Sequence, residues 1–195
     1  MTVVFVTWSL IAYRANDEAR AAELTARVHS ALASVDGPFV LGGHSRGAVV
    51  ASRVAAGGVP QLSGLVLIGT SHPRDDDLSS LAVPVTKVVG TRDGLATPTE
   101  VRRNAALLPP QTRWVWVEGG NHSQFGWYGF QPMDRRAAVD APTQRRMMIA
   151  AVLDLLHDVD PAATPTSTSD RQRTERGARR GVTWRAQAQC MGRAG

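Results

Sequence analysis

The sequence predicts an α/β domain in which helices cover both faces of a mostly parallel sheet. Short apolar, β-branched runs alternate with helical patterns over residues 1–160, and this alternation is typical of a parallel sheet with crossover helices. The first run, residues 2–8, is continuously apolar and β-branched, as expected for a strand that is buried on both faces. We therefore expect three layers, with the sheet between two layers of helices.

Five strands and four helices follow from this pattern. The strands are predicted at residues 2–8, 39–42, 65–68, 83–89 and 113–117. The helices are predicted at residues 15–34, from the end of the second strand to about 56, at 97–108 and at 142–159. A long loop rich in glycine and aromatic residues fills residues 118–140. The predicted apolar side of the last helix consists of Met147, Ile149, Val152, Leu153 and Leu156.

The composition changes near residue 160. Residues 161–195 are rich in Pro, Ser, Thr, Arg and Gly and have little to bury, so we expect a disordered tail after a domain at 1–160. The tail carries the whole net charge of +5, because acidic and basic residues balance in the rest of the chain. A neutral domain gives no indication of a nucleic-acid surface. Binding of anionic partners by the arginine-rich tail is therefore the least favoured function.

Signals for export and for membranes are weak. A membrane span needs about 18 consecutive apolar residues, and no stretch of the sequence comes close to that length. The apolar start of the sequence lacks the features of a signal peptide. The only cysteine, Cys190, cannot form an intrachain disulfide, which fits a reducing compartment. We expect a cytoplasmic protein, although a longer true N-terminus would change this expectation. The sequence leaves the oligomeric state open.

The second predicted strand leads directly into a tight turn, Gly43-His44-Ser45-Arg46-Gly47. A glycine two residues before and after the serine leaves room for a strained turn between a strand and a helix. Such a turn exposes a serine nucleophile above a helix N-terminus, where the next backbone N–H, that of Arg46, can stabilise an oxyanion. The alternative is an ordinary glycine-rich turn, and the flanking strand and helix favour the nucleophile.

Serine needs a base, and the base needs an acid that orients it. After a serine on such a turn, the acid and then the histidine follow at the ends of later strands. Asp93 follows the fourth predicted strand and His122 follows the fifth, so we expect them to serve as acid and base. The weaker alternatives are His72 as the base and the acidic run 75–77 as the acid. No metal-ligand spacing and no phosphate-binding loop is found, so we expect no metal or cofactor.

The motifs "GGHSRG", "GTRDG" and "GGNHSQFGWYGFQ" resemble the α/β-hydrolase superfamily. The last of them is similar to a small branch whose histidine loop reads N-H-x-Q-F-G-x-Y-G-x-Q. The resemblance covers residues 2–156 and implies Ser45 as nucleophile, Asp93 as acid and His122 as base. For the rest of the histidine motif we expect a role in shaping the loop or lining the pocket. The candidate pocket residues are Trp8, His44, Gln124, Phe125, Trp127, Tyr128, Phe130 and Gln131. For Trp8, Trp127, Tyr128 and Phe130, buried packing is the default.

The sequence departs from this family at its N-terminal end. The family has three strands and a helix before the strand at 2–8, and the loop after its third strand supplies a second oxyanion donor. We therefore expect a truncated fold, with either a gap in the sheet or strand 2–8 placed directly beside strand 39–42. Loss of one donor typically costs about 10²–10³ in rate. One hypothesis is that Met1 is not the ancestral start, and another is that the tail is a frameshifted end.

Two functions remain after these observations. The favoured one is a serine hydrolase that forms an acyl-enzyme, with a small carboxylic ester as substrate. The alternative is a hydrolase-like binding protein whose oxyanion hole is incomplete. The identity of the substrate depends on the shape of the pocket and is not encoded in any motif of this sequence.

Overall fold

A five-stranded parallel sheet forms the centre of the structure, with its strands in chain order β1-β2-β3-β4-β5. The computed structural model describes residues 2–6, 17–127 and 129–160. The strands are β1 (Thr2–Val6), β2 (Phe39–His44), β3 (Leu62–Ile68), β4 (Val85–Gly90) and β5 (Arg113–Val117). The helices are α1 (Asp17–Leu32), α2 (Arg46–Ala56), α3 (Pro98–Arg103) and α4 (Ala141–Val159).

Helices pack on both faces of this sheet, so the predicted α/β class is confirmed. On one face the buried residues of α2, among them Val50 and Val54, join Leu32 of α1 and Leu41 and Leu67 of the sheet. On the other face α4 packs on the central strands. Its core consists of Val40, Val66, Ile68, Val88, Val117, Phe125, Met148, Ala151 and Leu155. Because the strands are covered on both faces, most of their residues are apolar.

The third predicted helix is shorter than expected. It was predicted at 97–108, but α3 ends at Arg103 and a short 3₁₀ turn, Ala105–Leu107, follows. Thr97 and Glu100 form a capping box at its start. At its end the Asn104 side chain donates a hydrogen bond of 2.8 Å to the Ser71 carbonyl. This bond ties the end of the helix to the loop after β3 and explains the early stop.

The predicted apolar side of α4 was wrong for three of its five residues. Met147, Ile149 and Leu153 are exposed, whereas the sheet is contacted by Met148, Ala151 and Leu155, spaced three and four residues apart. Val152 and Leu156 are partly buried beside them. The helix has apolar residues on more than one side, so its composition did not identify the side that packs on the sheet.

The first strand lies directly beside the second. β1 pairs with β2 in parallel, in a register that runs from Thr2 opposite Phe39 to Val6 opposite Gly43. Of the two arrangements that the sequence left open, the structure therefore has the one without a gap. All five strands run the same way, so the loops after β2, β4 and β5 meet at one edge of the sheet.

These elements belong to one compact unit, residues 1–160. Residues 161–195 lie outside the described residues, and the disorder of the tail stays a prediction. Within the described part of the chain, no helix combines the length and the apolar character that crossing a membrane requires.

One charged side chain lies inside the sheet core. Lys87 on β4 is the only lysine of the chain, and its side chain is 1% exposed. Its Nζ donates a hydrogen bond to the His72 carbonyl. Burial lowers the pKa of Lys87 from 10.5 to about 7, because desolvation penalises the charged form.

We expect the stability of the protein to rise with pH between 7 and 10.5 because of Lys87. In this window the unfolded chain keeps the proton of Lys87 while the folded protein has released it, so the free energy of unfolding increases with pH. Below the pKa of Lys87 in the folded protein, the side chain is charged in both states, so Lys87 adds no pH dependence to the free energy of unfolding. Compared with Lys87→Met, the free energy of unfolding of the wild-type protein should rise by at most about 1.4 kcal/mol more per pH unit.

Two measurements check this expectation. Carbon-13 labelling of lysine gives one side-chain NMR signal, which should titrate near 7 in the folded protein. Urea unfolding of both proteins across the window gives the slope. A lysine signal that titrates near 10.5, or equal slopes for the two proteins, would contradict the expectation.

Candidate active site

Ser45 is the single residue between the end of β2 at His44 and the start of α2 at Arg46. Its backbone has φ 55° and ψ −121°, a conformation that residues with a side chain rarely adopt. The Ser45 N–H donates to the Ile68 carbonyl at the end of β3, at 2.9 Å, and holds the turn against the sheet. The side chain does not cap the helix, so its hydroxyl is not used by α2.

The first glycine of the turn, Gly43, is required by close approach of the backbone. A Cβ atom on Gly43 would lie 2.3 Å from the carbonyl carbon of Gly47, a distance that only a shift of the backbone could relieve. The strand and the helix therefore meet with no space for a side chain between them. This is the physical reason for the predicted pattern of glycines around Ser45.

The structure brings the three predicted residues Ser45, His122 and Asp93 together. His122 Nε2 lies 2.8 Å from Ser45 Oγ, and His122 Nδ1 lies 2.9 Å from Asp93 Oδ2. Asp93 is 0% and His122 is 2% exposed, so this pair is removed from water. The other oxygen of Asp93 accepts from the backbone N–H groups of Leu95 at 2.9 Å and Ala96 at 2.7 Å.

The alternative residues take other positions. His72 uses its backbone, which donates to Thr70 Oγ1 and accepts from Lys87. Burial and neighbouring positive charges lower the pKa of His72 to about 4. In the acidic run 75–77, Asp77 accepts from the backbone N–H of Ser79 at an exposed position. The imidazole that faces Ser45 is therefore that of His122, and the carboxylate that faces this imidazole is that of Asp93.

Close backbone contacts join the loop that carries Asp93 to the loop that carries His122. A Cβ atom on Gly90 would lie 2.5 Å from the Gly120 carbonyl oxygen. That same carbonyl accepts from the Arg92 N–H at 2.8 Å. Gly119 has φ +71° and lets the loop after β5 turn back over the sheet edge. The glycines thus allow an approach that residues with side chains would prevent.

His44 lies beside the imidazole of His122. The two ring centroids are 4.8 Å apart, and the ring of Phe125 is 6.0 Å from that of His44. Burial and the charge of His122 lower the pKa of His44 to about 3, against a smaller opposing effect of a hydrogen bond to the His122 backbone. His44 is therefore neutral near pH 7 and does not repel a positive charge on His122.

The remaining pocket candidates differ in their surroundings. Phe125 is 2% exposed and belongs to the core under α4, whereas Phe130 is exposed. Trp127 is 70% exposed, and the Arg145 guanidinium stacks on its ring at 4.4 Å. The backbone of Gln124 donates to Asn121 and accepts from Arg145. Trp8 and Tyr128 lie outside the described residues.

Two polar residues that the sequence analysis did not select support the histidine loop. Gln144 of α4 is fully buried and forms two hydrogen bonds with the backbone of Asn121, the residue before His122. Asp134 accepts hydrogen bonds from several residues of the loops around the site. A polar residue on the buried side of an apolar helix is a signal that could have identified Gln144. No local pattern distinguishes Asp134 from a surface acid.

A helix begins directly after Ser45. The backbone N–H of Arg46 is the first of α2, an 11-residue helix whose N-terminus begins beside Ser45. The partial positive charge of a helix N-terminus stabilises an anion there. Among the described residues, no group of three or more His, Cys, Asp or Glu side chains is arranged to hold a metal ion.

The fold has counterparts in known proteins. A family model described as "Alpha/beta hydrolase family" matches residues 20–146, well over half of the chain. The chain belongs to the alpha/beta hydrolase family, and the predicted superfamily is confirmed. The branch defined by the histidine-loop motif and the predicted truncation stay predictions. No curated protein sequence matches the chain.

Solved structures show the same fold at low sequence identity. Alpha/beta hydrolase domain-containing protein 10 from mouse is 13% identical with a TM-score of 0.56, and the match covers 78% of this chain and 76% of that one. The dienelactone hydrolase-like promiscuous phosphotriesterase P91 from metagenomic libraries is 18% identical, with a TM-score of 0.52 and coverages of 73% and 63%. The Paleococcus ferrophilus monoacylglycerol lipase is 14% identical with a TM-score of 0.50, and the match covers 68% of this chain and 75% of that one.

Proposed function

We propose that the protein is a serine hydrolase that cleaves small carboxylic esters through an acyl-enzyme intermediate. The observation that carries the proposal is the continuous path of hydrogen bonds from Asp93 through His122 to Ser45, with contacts of 2.9 and 2.8 Å. The hydroxyl has a base within hydrogen-bonding distance, and the base has an acid that orients it. The single cysteine supports the cytoplasm as the place of action.

In the first half of the reaction Ser45 Oγ attacks the carbonyl carbon of the ester while its proton moves to His122 Nε2. The carbonyl electrons move onto the oxygen, and the Arg46 N–H at the start of α2 stabilises this oxyanion. Asp93 accepts from His122 Nδ1–H and stabilises the imidazolium, and it remains ionised. The bond to the leaving oxygen then breaks, and His122 gives its proton to the departing alcohol.

In the second half a water molecule replaces the alcohol. His122 Nε2 takes a proton from the water as the water oxygen attacks the acyl carbon. The new tetrahedral intermediate collapses, the bond to Ser45 Oγ breaks, and His122 returns the proton to that oxygen. The products are a carboxylic acid and free enzyme, so atoms and protons balance over the cycle.

A fluorophosphonate probe tests the proposed function. We expect the full-length protein to form one covalent adduct, located by peptide mass analysis at Ser45. Ser45→Ala should abolish the adduct because it removes the attacking oxygen. Ser34→Ala is the matched control, since the Ser34 hydroxyl is exposed and donates only to the Ala31 carbonyl near the end of α1. The absence of an adduct on folded wild-type protein would favour the binding protein over the hydrolase.

The exposed aromatic residues of the histidine loop support an apolar acyl or alcohol group in the substrate. Trp127 and Phe130, which follow His122 in this loop, are 70% and 61% exposed. Rates on nitrophenyl acetate, butyrate and octanoate would rank the acyl lengths.

A further inference from the structure

We propose that Asp134 is a positioning residue that holds the acid turn and the base turn of the site in register with one buried carboxylate. This role rests on the proposed function, in which Asp93 is the acid and His122 is the base. Asp134 does not contact the reacting atoms. It acts through the backbone of the residues that do.

The Asp134 carboxylate is 9% exposed and accepts five hydrogen bonds. Its Oδ1 accepts from the backbone N–H groups of Gly94 at 3.0 Å, His122 at 3.3 Å and Arg135 at 2.8 Å. Its Oδ2 accepts from the Ser123 N–H at 2.8 Å and the Ser123 hydroxyl at 2.6 Å. Both oxygens are therefore occupied by donors from the loops around the candidate triad.

Two of these donors lie in the triad itself or directly beside it. Gly94 is the residue after Asp93, and His122 is the base, so Oδ1 connects the acid turn to the base turn. Asp134 is 40 residues from Gly94 and 12 residues from His122 in the sequence. The segment that carries Asp134 also packs tightly on the acid turn, because a Cβ atom on Gly94 would lie 2.7 Å from the Met133 carbonyl oxygen.

A carboxylate suits this position because every partner is a donor. Desolvation opposes ionisation of Asp134, but the hydrogen bonds from Ser123, Gly94 and Arg135 outweigh it and lower the pKa of the carboxyl below its usual value. An asparagine would fit the same space, yet in either orientation it would point an NH₂ group at a backbone N–H. Either the Ser123 N–H or the N–H groups of Gly94 and His122 would then lose their acceptor, and the turn that loses it would shift.

A small shift is enough to affect catalysis. The contact of His122 Nδ1 with Asp93 Oδ2 measures 2.9 Å, and a misplacement of about 1 Å in a catalytic group can cost about 10²-fold in rate. The positioning role thus predicts a defect in turnover at constant substrate binding. It also predicts a change in the His122–Asp93 hydrogen bond, which a residue that serves only stability would leave unchanged in the folded protein.

We expect Asp134→Asn to lower kcat for nitrophenyl acetate by about 10–10² fold with KM nearly unchanged. In proton NMR, the downfield signal of the His122 Nδ1–H should shift or disappear. Asp140→Asn is the matched control: Asp140 is an exposed helix cap that accepts from the Thr143 N–H, and asparagine caps equally well. The control should keep the wild-type kcat and the wild-type signal.

The outcomes separate this proposal from the proposed function. Wild-type protein that shows the downfield proton but neither turnover nor a fluorophosphonate adduct contradicts the hydrolase, and the signal of Asp134→Asn still tests the positioning role. Folded Asp134→Asn with wild-type kcat and a wild-type Nδ1–H signal overturns the positioning role, as does wild-type protein without the signal.

Ser123→Ala is the second variant, for the case that Asp134→Asn does not fold. It removes only the hydroxyl contacts and should lower kcat about fivefold, the equivalent of about 1 kcal/mol. Unchanged kcat and signal in that variant would also overturn the role.

Discussion

Replacing Asp93 by asparagine is expected to lower kcat for ester hydrolysis by about 10⁴-fold without unfolding the protein. Asp93 Oδ1 accepts from two backbone N–H groups, those of Leu95 and Ala96. The amide oxygen of asparagine must take that place, so its NH₂ group faces His122 Nδ1. Nδ1 then has to accept a hydrogen bond, and the ring proton moves to Nε2. In this tautomer His122 cannot take the proton of Ser45.

The kcat and KM of Asp93→Asn on nitrophenyl acetate, measured beside circular dichroism, check this expectation. Asp140→Asn again serves as control, because it makes the same change of carboxylate to amide at an exposed site that also accepts a backbone N–H. A folded Asp93→Asn protein with kcat within about tenfold of wild type would show that the orientation of His122 does not depend on this carboxylate.

Replacing Ser45 by glycine is expected to abolish turnover and at the same time to give a more stable protein than Ser45→Ala. The loss of the nucleophile lowers kcat by about 10⁶-fold in a comparable triad. The backbone of Ser45, with φ 55°, carries strain of about 1–3 kcal/mol that glycine relieves. The greater freedom of glycine in the unfolded chain costs about 0.5–1 kcal/mol. Relative to Ser45→Ala, which loses the same hydroxyl, a gain of about 1 kcal/mol in the free energy of unfolding remains.

Ser45→Ala is the matched variant for this measurement. It removes the same hydroxyl and the same contact with His122, but it keeps the Cβ atom and therefore the strain. Urea unfolding should show Ser45→Gly to be more stable than Ser45→Ala, with both variants inactive. If Ser45→Gly is equally stable or less stable, the turn stores no strain that a glycine can release.

The candidate residues of the site were predictable because each is marked by its local sequence. Gly43 reflects a close backbone approach within the turn itself, where a Cβ atom would lie 2.3 Å from the Gly47 carbonyl carbon. Asp93 and His122 each follow a predicted strand, and parallel strands bring such positions to one edge. The structure places the three side chains within hydrogen-bonding distance. Their roles in catalysis remain the proposal that the labelling and kinetic experiments test.

Other features depended on contacts between distant residues. The side of α4 that packs on the sheet includes Gln144, whose burial is possible only because the backbone of Asn121 satisfies its amide. The sequence alone favoured exposed residues such as Leu153 instead. The early end of α3 likewise follows from a bond between Asn104 and Ser71, which are 33 residues apart.

The sequence by itself determined the α/β class, the order of the elements and the three chemical groups of the site, because apolar runs and tight turns are local properties of the chain. Only the tertiary structure decided that β1 lies beside β2, which side of α4 is buried, and that Asp134 joins the two loops that carry Asp93 and His122. These features arise from pairings across many residues, and the free energy of such a pairing depends on the partner as much as on the residue itself.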